Sequence, residues 1–304
     1  MDVIHLLRRN GRSMAMPAGM VLGALLCRQI TSLDAALHGM ITPTLIFAML
    51  FITFCRVEPR NMRLQAIHGW LLLFQFAVAP ALYFALRPLD IITAQGAMIC
   101  VLAPIAMAAV VIGGMLGANI VTMATHSLVC NMATAVLAPV LLSVTGNGEC
   151  TFAEIMMRIL PMLVGPFLAA QLMRKILPSV AGYIGSHGQL SFYFWIVSLM
   201  TVIGRTMVFI MEYPDADPFI ELVMAAAAGA ICILQFVVGR RIGRRYGDPP
   251  AGGQSLGQKN TVLAIWMAQS FLNPLSSIAP TAYIVWQNIV NSWQLYRHDR
   301  ASKK

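Results

Sequence analysis

Charge is what this sequence has least of. Only 11% of its 304 residues are Asp, Glu, Lys or Arg, against 58% hydrophobic. Soluble domains carry about a quarter charged residues, so a chain wetted on all sides is excluded. Signatures of familiar chemistry are missing as well: there is no HExxH, no GxSxG and no Asp-rich diphosphate motif. Zinc proteases, serine hydrolases and diphosphate enzymes would need those residues at those spacings. No pair of carboxylates falls inside an apolar run, which removes the usual acid and base couple. The six cysteines, Cys27, Cys55, Cys100, Cys130, Cys150 and Cys232, include no CxxC pair, and at least four lie in apolar runs. They read as small packing residues, not as metal ligands or disulfide partners. An enzyme is not expected, nor a bound cofactor.

Long apolar runs are what the chain does have. They fall near residues 14–30, 38–55, 65–86, 91–116, 119–144, 153–173, 189–211, 219–239, 251–272 and 276–296. Each approaches the roughly 20 residues that carry a helix across hydrocarbon. The expectation is an all-α integral membrane protein of ten transmembrane helices. The opening run MAMPAGMVLGALLC resembles a secretory signal ending at Cys27, but Leu26 stands where a cleavage point needs a small residue, so the run reads as a short first span.

A net charge of +9 would suggest nucleic acid in a soluble protein. Here the basic residues gather in the connections between apolar runs, so the lipid bilayer is the expected partner, not nucleic acid, and no obligatory protein partner is evident. With the N-terminus inside, Arg8, Arg9, Arg12, Arg56, Arg60, Arg63, Arg174, Lys175, Arg240, Arg241, Arg244, Arg245, Arg297, Arg300, Lys303 and Lys304 share the cytoplasmic side. Arg28, Arg87, Arg158 and Arg205 remain outside. That bias places both termini in the cytoplasm, and the bacterial inner membrane is the expected location.

Two runs look interrupted. The fourth carries Gly96 and Pro104 internally with Gly113 and Gly114 near its end; the ninth begins with Gly252, Gly253 and Gly257 and ends at Pro274. These positions correspond if residues 1–148 and 149–304 are two five-span halves of one membrane domain. Five is odd, so the second half would insert inverted, as in many secondary transporters. Broken spans at matched places would free backbone groups for an ion or substrate near mid-membrane.

The residues carrying this pattern resemble the bile acid:sodium symporter family. LFQFAVAP (73–80), GAN (117–119) with Pro139, GQKNTVLAIW (257–266) and VWQNIVNSW (285–293) are similar to its motifs in order and spacing. The resemblance covers most of the chain. It implies two inverted repeats with broken, crossed helices 4 and 9, and a carrier in which one helix group shifts against another. It also implies cation-site equivalents at Gln75, Ser127, Ser255 and Lys259, helix breaks at Pro104 and Gly257, and substrate contacts at Asn260, Gln287 and Asn288. The family's sodium ligands are largely replaced here. Ala109, Val110 and Met123 stand where the family has polar groups, Ser255 replaces a glutamate and Lys259 a glutamine.

Sodium needs several oxygen ligands, so sodium binding is expected to be weak or absent, and no other metal is expected. A cation at mid-membrane costs about 2.5–3.5 kcal/mol on insertion scales and needs partners or a role. Three readings of Lys259 stay open at this point. It is a fixed replacement for the second sodium, bonded to carbonyls freed at the end of the ninth span's first half and to the oxygen of Gln75. It is a proton carrier, with His126 as a possible second site. Or it lies near the interface and snorkels. Uncharged amides beside a cation suit an organic anion, either bile-acid-like or another amphipathic carboxylate or sulfonate. Asn131, Thr134, Gln269 and Asn273 are further polar candidates. The expected function is sodium-independent anion transport by alternating access. The alternatives are a proton-coupled carrier, an ordinary sodium symporter and a membrane ligand sensor.

Overall fold

The computed structural model describes residues 17–302 apart from 59, 61, 107, 147, 149, 188 and 213–217. The start of the first expected span, the basic residues Arg8, Arg9, Arg12, Lys303 and Lys304, and most of the acidic linker after Glu212 lie outside the described residues. After a helical stretch at 17–25, the helices are α1 (Cys27–Ala36), α2 (Ile41–Phe54), α3 (Ala66–Leu86), α4 (Ile91–Leu102), α5 (Ala108–Met115), α6 (Ile120–Thr145) and α7 (Phe152–Ile176). They continue as α8 (Pro178–Ser186), α9 (Gln189–Glu212), α10 (Pro218–Arg245), α11 (Pro249–Gly257), α12 (Thr261–Phe271) and α13 (Ile278–Ser302). Among the described residues the only β pairing is an isolated antiparallel bridge between Ile105 and Lys259.

Five helices, α3, α6, α7, α9 and α10, are long and apolar enough to cross a membrane, and α1 with α2 makes a sixth if that pair, bent by 83°, is one span. The protein is therefore an all-helical membrane protein. The fourth and ninth apolar runs are each divided into two short helices, α4 with α5 and α11 with α12. Helix α13 is long, but Gln287, Asn288, Asn291 and Gln294 make it more polar.

The chain forms two compact units, Met1–Arg56 with Gly165–Asp215, and Val57–Val164 with Ala216–Lys304. These do not follow the halves 1–148 and 149–304; each unit draws on both. In the first unit, α1 ends in a Schellman turn, with Gly39 N–H donating to Asp34 O at 2.8 Å and His38 N–H to Ala35 O at 3.0 Å. The Asp34 side chain accepts from the Ile41 N–H at 3.3 Å and pairs with Arg205 of α9 at 3.3 Å. Asp34 is thus a buried carboxylate held between an elbow and a neighbouring helix.

In the second unit, α10 and α11 lie against each other through glycines. A Cβ on Gly239 would meet the Gly252 carbonyl oxygen at 2.2 Å, and one on Gly243 would meet the Asp248 oxygen at 2.2 Å. Gly252 and Gly253 therefore sit inside α11 and permit close packing; the interruption comes later, at residues 258–260. Gly247, at φ +76°, reverses the chain between the two helices. Asp248 follows it as the N-cap of α11, one carboxylate oxygen accepting from Ala251 N–H at 2.9 Å and the other from Asn119 N–H at 2.8 Å. Asn119 in turn caps α6, accepting from Val121 and Thr122 N–H.

Candidate functional site

The two helix breaks meet in the second unit. Proline at position 104 lacks the N–H that would extend α4, so the chain leaves helix there and runs antiparallel to residues 258–260. Ala106 N–H donates to Gln258 O at 2.8 Å, and Asn260 N–H donates to Pro104 O at 2.8 Å. Lys259 thus faces the end of α4. Its own N–H donates to Gln287 Oε1 of α13 at 3.0 Å.

A helix ends with carbonyls that have no intrahelical partner, and these carry the negative end of its dipole. At α4 every one of them is met. Ile99 O accepts from Ala103 N–H. Cys100 O accepts from Gln235 Nε2 at 3.3 Å. Val101 O accepts from the Lys259 ammonium at 2.9 Å. Gln75 Nε2 of α3 donates to Leu102 O at 3.0 Å and reaches Ala103 O at 3.3 Å. Because carbonyls only accept, those bonds fix which way the Gln75 amide points. Its oxygen therefore faces the Lys259 ammonium, at 3.1 Å, and also accepts from Cys130 Sγ at 3.5 Å.

Lys259 is 1% exposed, with neutral oxygens as its partners. It does not snorkel. The carbonyl it binds belongs to the fourth run, not to the first half of the ninth as expected. The reason is the crossing, which turns Lys259 toward α4, while the last carbonyl of α11, Gly257 O, is taken by Tyr283 Oη at 2.8 Å. Tyr283 also accepts from Gln235 Nε2 at 3.0 Å.

The other expected positions divide into three groups. Gln75, Lys259, Gln287, Pro104 and Gly257 come together at the crossing. Asn260 caps α12 through Leu263 N–H at 3.2 Å, and Asn288 turns back on its own helix to donate to Ile284 O at 2.6 Å. Ser127 and Ser255 are buried on α6 and α11. Ala109 and Met123 pack with Ile105, Ala118, Cys130 and Ala251 into an apolar cluster against which Val110 rests. His126 is buried on α6 and stacked on His68 with ring centroids 6.0 Å apart; among the described residues its ring nitrogens have no hydrogen-bond partner. Of the further polar candidates, Asn131 donates to Ser127 O at 2.7 Å, Asn273 accepts from Leu275 N–H at 3.0 Å, and Thr134 and Gln269 are buried. No cluster of three or more His, Cys, Asp or Glu suited to a metal ion occurs among the described residues.

Sequence reasoning missed an amide network beside the crossing. Gln254 Nε2 donates to Asn291 Oδ1 at 3.0 Å and to Gln294 Oε1 at 3.4 Å; Asn291 Nδ2 donates to Gln258 Oε1, and Arg240 to Gln294 Oε1 at 3.1 Å. Gln287, Asn291 and Gln294 recur at helical spacing on one face of α13, a signal that was available. Comparison with known protein families finds no match for this chain, and no curated protein matches it.

Proposed function

We propose that the protein is a secondary transporter of organic anions, in which Lys259 stands permanently where related carriers would hold a cation. The observation that carries this reading is the Lys259 ammonium seated at the C-terminal carbonyls of α4, with no carboxylate among its hydrogen-bond partners in the described residues. A cation at the negative end of a helix is stabilised without being neutralised. Net positive charge in an uncharged interior favours an anionic ligand, and the amides of Gln287 and Asn260 beside it add orienting groups.

The crossing supports the wider plan of ten spans in two inverted five-span repeats. Two breaks paired by reciprocal backbone bonds are the arrangement that such repeats would generate. Each compact unit also combines residues from the first and second halves. Alternating access around the crossing is then the mode of transport, and the resemblance to the bile acid:sodium symporters is the nearest functional analogy. The apolar packing of Ala109, Val110 and Met123 and the ammonium already in place support sodium independence. Proton coupling through Lys259, with His126 as a second site, is the second reading; among the described residues the buried His126 ring nitrogens have no hydrogen-bond partner.

The test is thermal unfolding of detergent-purified protein in sodium, potassium and choline at matched ionic strength, paired with anion flux in proteoliposomes. A ligand that binds only the folded state raises its stability. The reading requires no sodium-specific rise and flux that persists without sodium. A sodium-specific rise would make this an ordinary symporter, flux only under a proton gradient would favour the His126 route, and ligand binding without flux would indicate a sensor.

A further inference from the structure

The exposed face of α13 changes character along its length. Val285 and Ile289 are exposed and aliphatic, Trp293 and Tyr296 follow as exposed aromatics, and Arg297 and Arg300 complete the face. Their spacing of three or four residues keeps them on one side of the helix. From Ile289 to Arg297 is a rise of about 12 Å. The order, aliphatic, aromatic and cationic, follows that of a phospholipid from acyl chain through the interface to the headgroup.

The arginines are set for an oxyanion. The Arg297 guanidinium carbon lies 5.1 Å from the centroid of the Trp293 ring, and that of Arg300 lies 5.4 Å from that of Tyr296. A cation–π contact of this kind uses none of the arginine's N–H donors for a hydrogen bond, so they remain available for a forked contact with phosphate. Among the residues whose side chains are described, which leaves out Asp299, neither arginine has an acidic partner within ion-pair distance; the one such pair there joins Arg205 to Asp34. Arg240 of α10 donates to Gln294 of α13 at 3.1 Å, so the basic end of α10, with Arg244 and Arg245 in its last turn, adjoins this stretch of α13.

We propose that this end of α13 binds the phosphate headgroup of an anionic phospholipid, with Arg297 and Arg300 as its donors, each held over an aromatic ring, Trp293 and Tyr296, at the interface. The site depends only on the protein lying in a membrane, so it stands apart from the transport reading.

Purified protein in non-ionic detergent is titrated with phosphatidylglycerol, with phosphatidylcholine of the same acyl chains, and with inorganic phosphate at matched ionic strength, and Tm is followed. Phosphatidylglycerol should raise Tm by roughly 5 °C, with a much smaller rise from phosphatidylcholine and none from phosphate. The Arg297→Gln/Arg300→Gln double variant should lose that rise while keeping its lipid-free Tm, since both side chains are exposed. Arg297→Lys/Arg300→Lys keeps the charge without the planar stack and should retain only part of it. An undiminished phosphatidylglycerol response in the Gln variant overturns the assignment. Equal responses to both lipids would remove the headgroup from it, and an equal response to phosphate would give the site to a soluble anion.

Discussion

The Lys259 ammonium and the carbonyl oxygen of Val101 are 2.9 Å apart, although 158 residues separate them in the chain. That contact exists because two helices stop at the same place and cross. Pro104 ends one and the segment 258–260 ends the other; the lysine between them donates to Val101 O, while Gln235 serves Cys100 O, the carbonyl that an N–H at position 104 would have met. One side chain thus answers both a capping problem and a charge problem.

Replacing Lys259 with Ala leaves the Val101 oxygen without its donor and the Gln75 amide oxygen with only the weak Cys130 thiol, and opens a space at the negative end of α4. A buried unpaired acceptor costs about 1–3 kcal/mol, partly offset by removing a buried charge. The variant should lose about 1–3 kcal/mol, and ammonium or methylammonium should restore part of it where bulkier choline does not. Denaturant unfolding in the three chloride salts checks this. Identical curves in all three would mean that the oxygens do not form a cation seat. Lys259→Met, similar in length but uncharged, should be insensitive to the choice of salt.

Gln75 has a stricter task, since both ends of its amide are used. Gln75→Leu should destabilise by about 2–4 kcal/mol, from unpaired oxygens at Leu102 and Ala103 and a lost partner for Lys259. Gln75→Glu should not rescue it: the carboxylate would suit the ammonium but would set an oxygen against two carbonyl oxygens. A Glu variant as stable as the parent in chemical unfolding would show that the amide nitrogen contributes nothing.

Much of this site was legible in the sequence because its residues are unusual for their setting. A lysine in an apolar run, a proline in the fourth run and a glutamine in the third each conflict with the surrounding pattern, and all three are at the crossing. The partner of Lys259 in α4 was hidden for the opposite reason: Val101 takes part through its backbone, which every residue has. Asp34 and Arg205 were missed because nothing local connects residues 171 apart. The glycines were misassigned in function. Gly252 and Gly253 suggested a break, yet a glycine in a membrane helix serves equally for close packing, and only the position of α10 distinguishes the two.

Asp248 should show graded losses. Its two carboxylate oxygens serve separate donors, Ala251 N–H at the start of α11 and Asn119 N–H before α6. Asn offers one acceptor oxygen, so Asp248→Asn should lose one of these bonds and Asp248→Ala both. At about 0.5–2 kcal/mol per cap, the Ala variant should be roughly twice as destabilised in equilibrium unfolding. Equal losses would mean that one of the two bonds carries no stability.

Glycine to alanine should change sign with position. At Gly239 the new methyl would meet the Gly252 carbonyl oxygen at 2.2 Å, and a backbone atom cannot step aside as a side chain can. Helices α10 and α11 would have to separate, at a cost of about 1–3 kcal/mol. At Gly69, on the exposed side of α3, nothing lies within 4 Å of the added carbon. Alanine there gains helix propensity and restricts the unfolded chain, worth up to about 1 kcal/mol in the stabilising direction. Measured side by side, the two variants separate packing from propensity, because both make the same chemical change within a helix. Destabilisation at both positions would assign the effect to glycine's general role in these helices; a neutral Gly239→Ala would mean that α10 and α11 are not held at backbone contact.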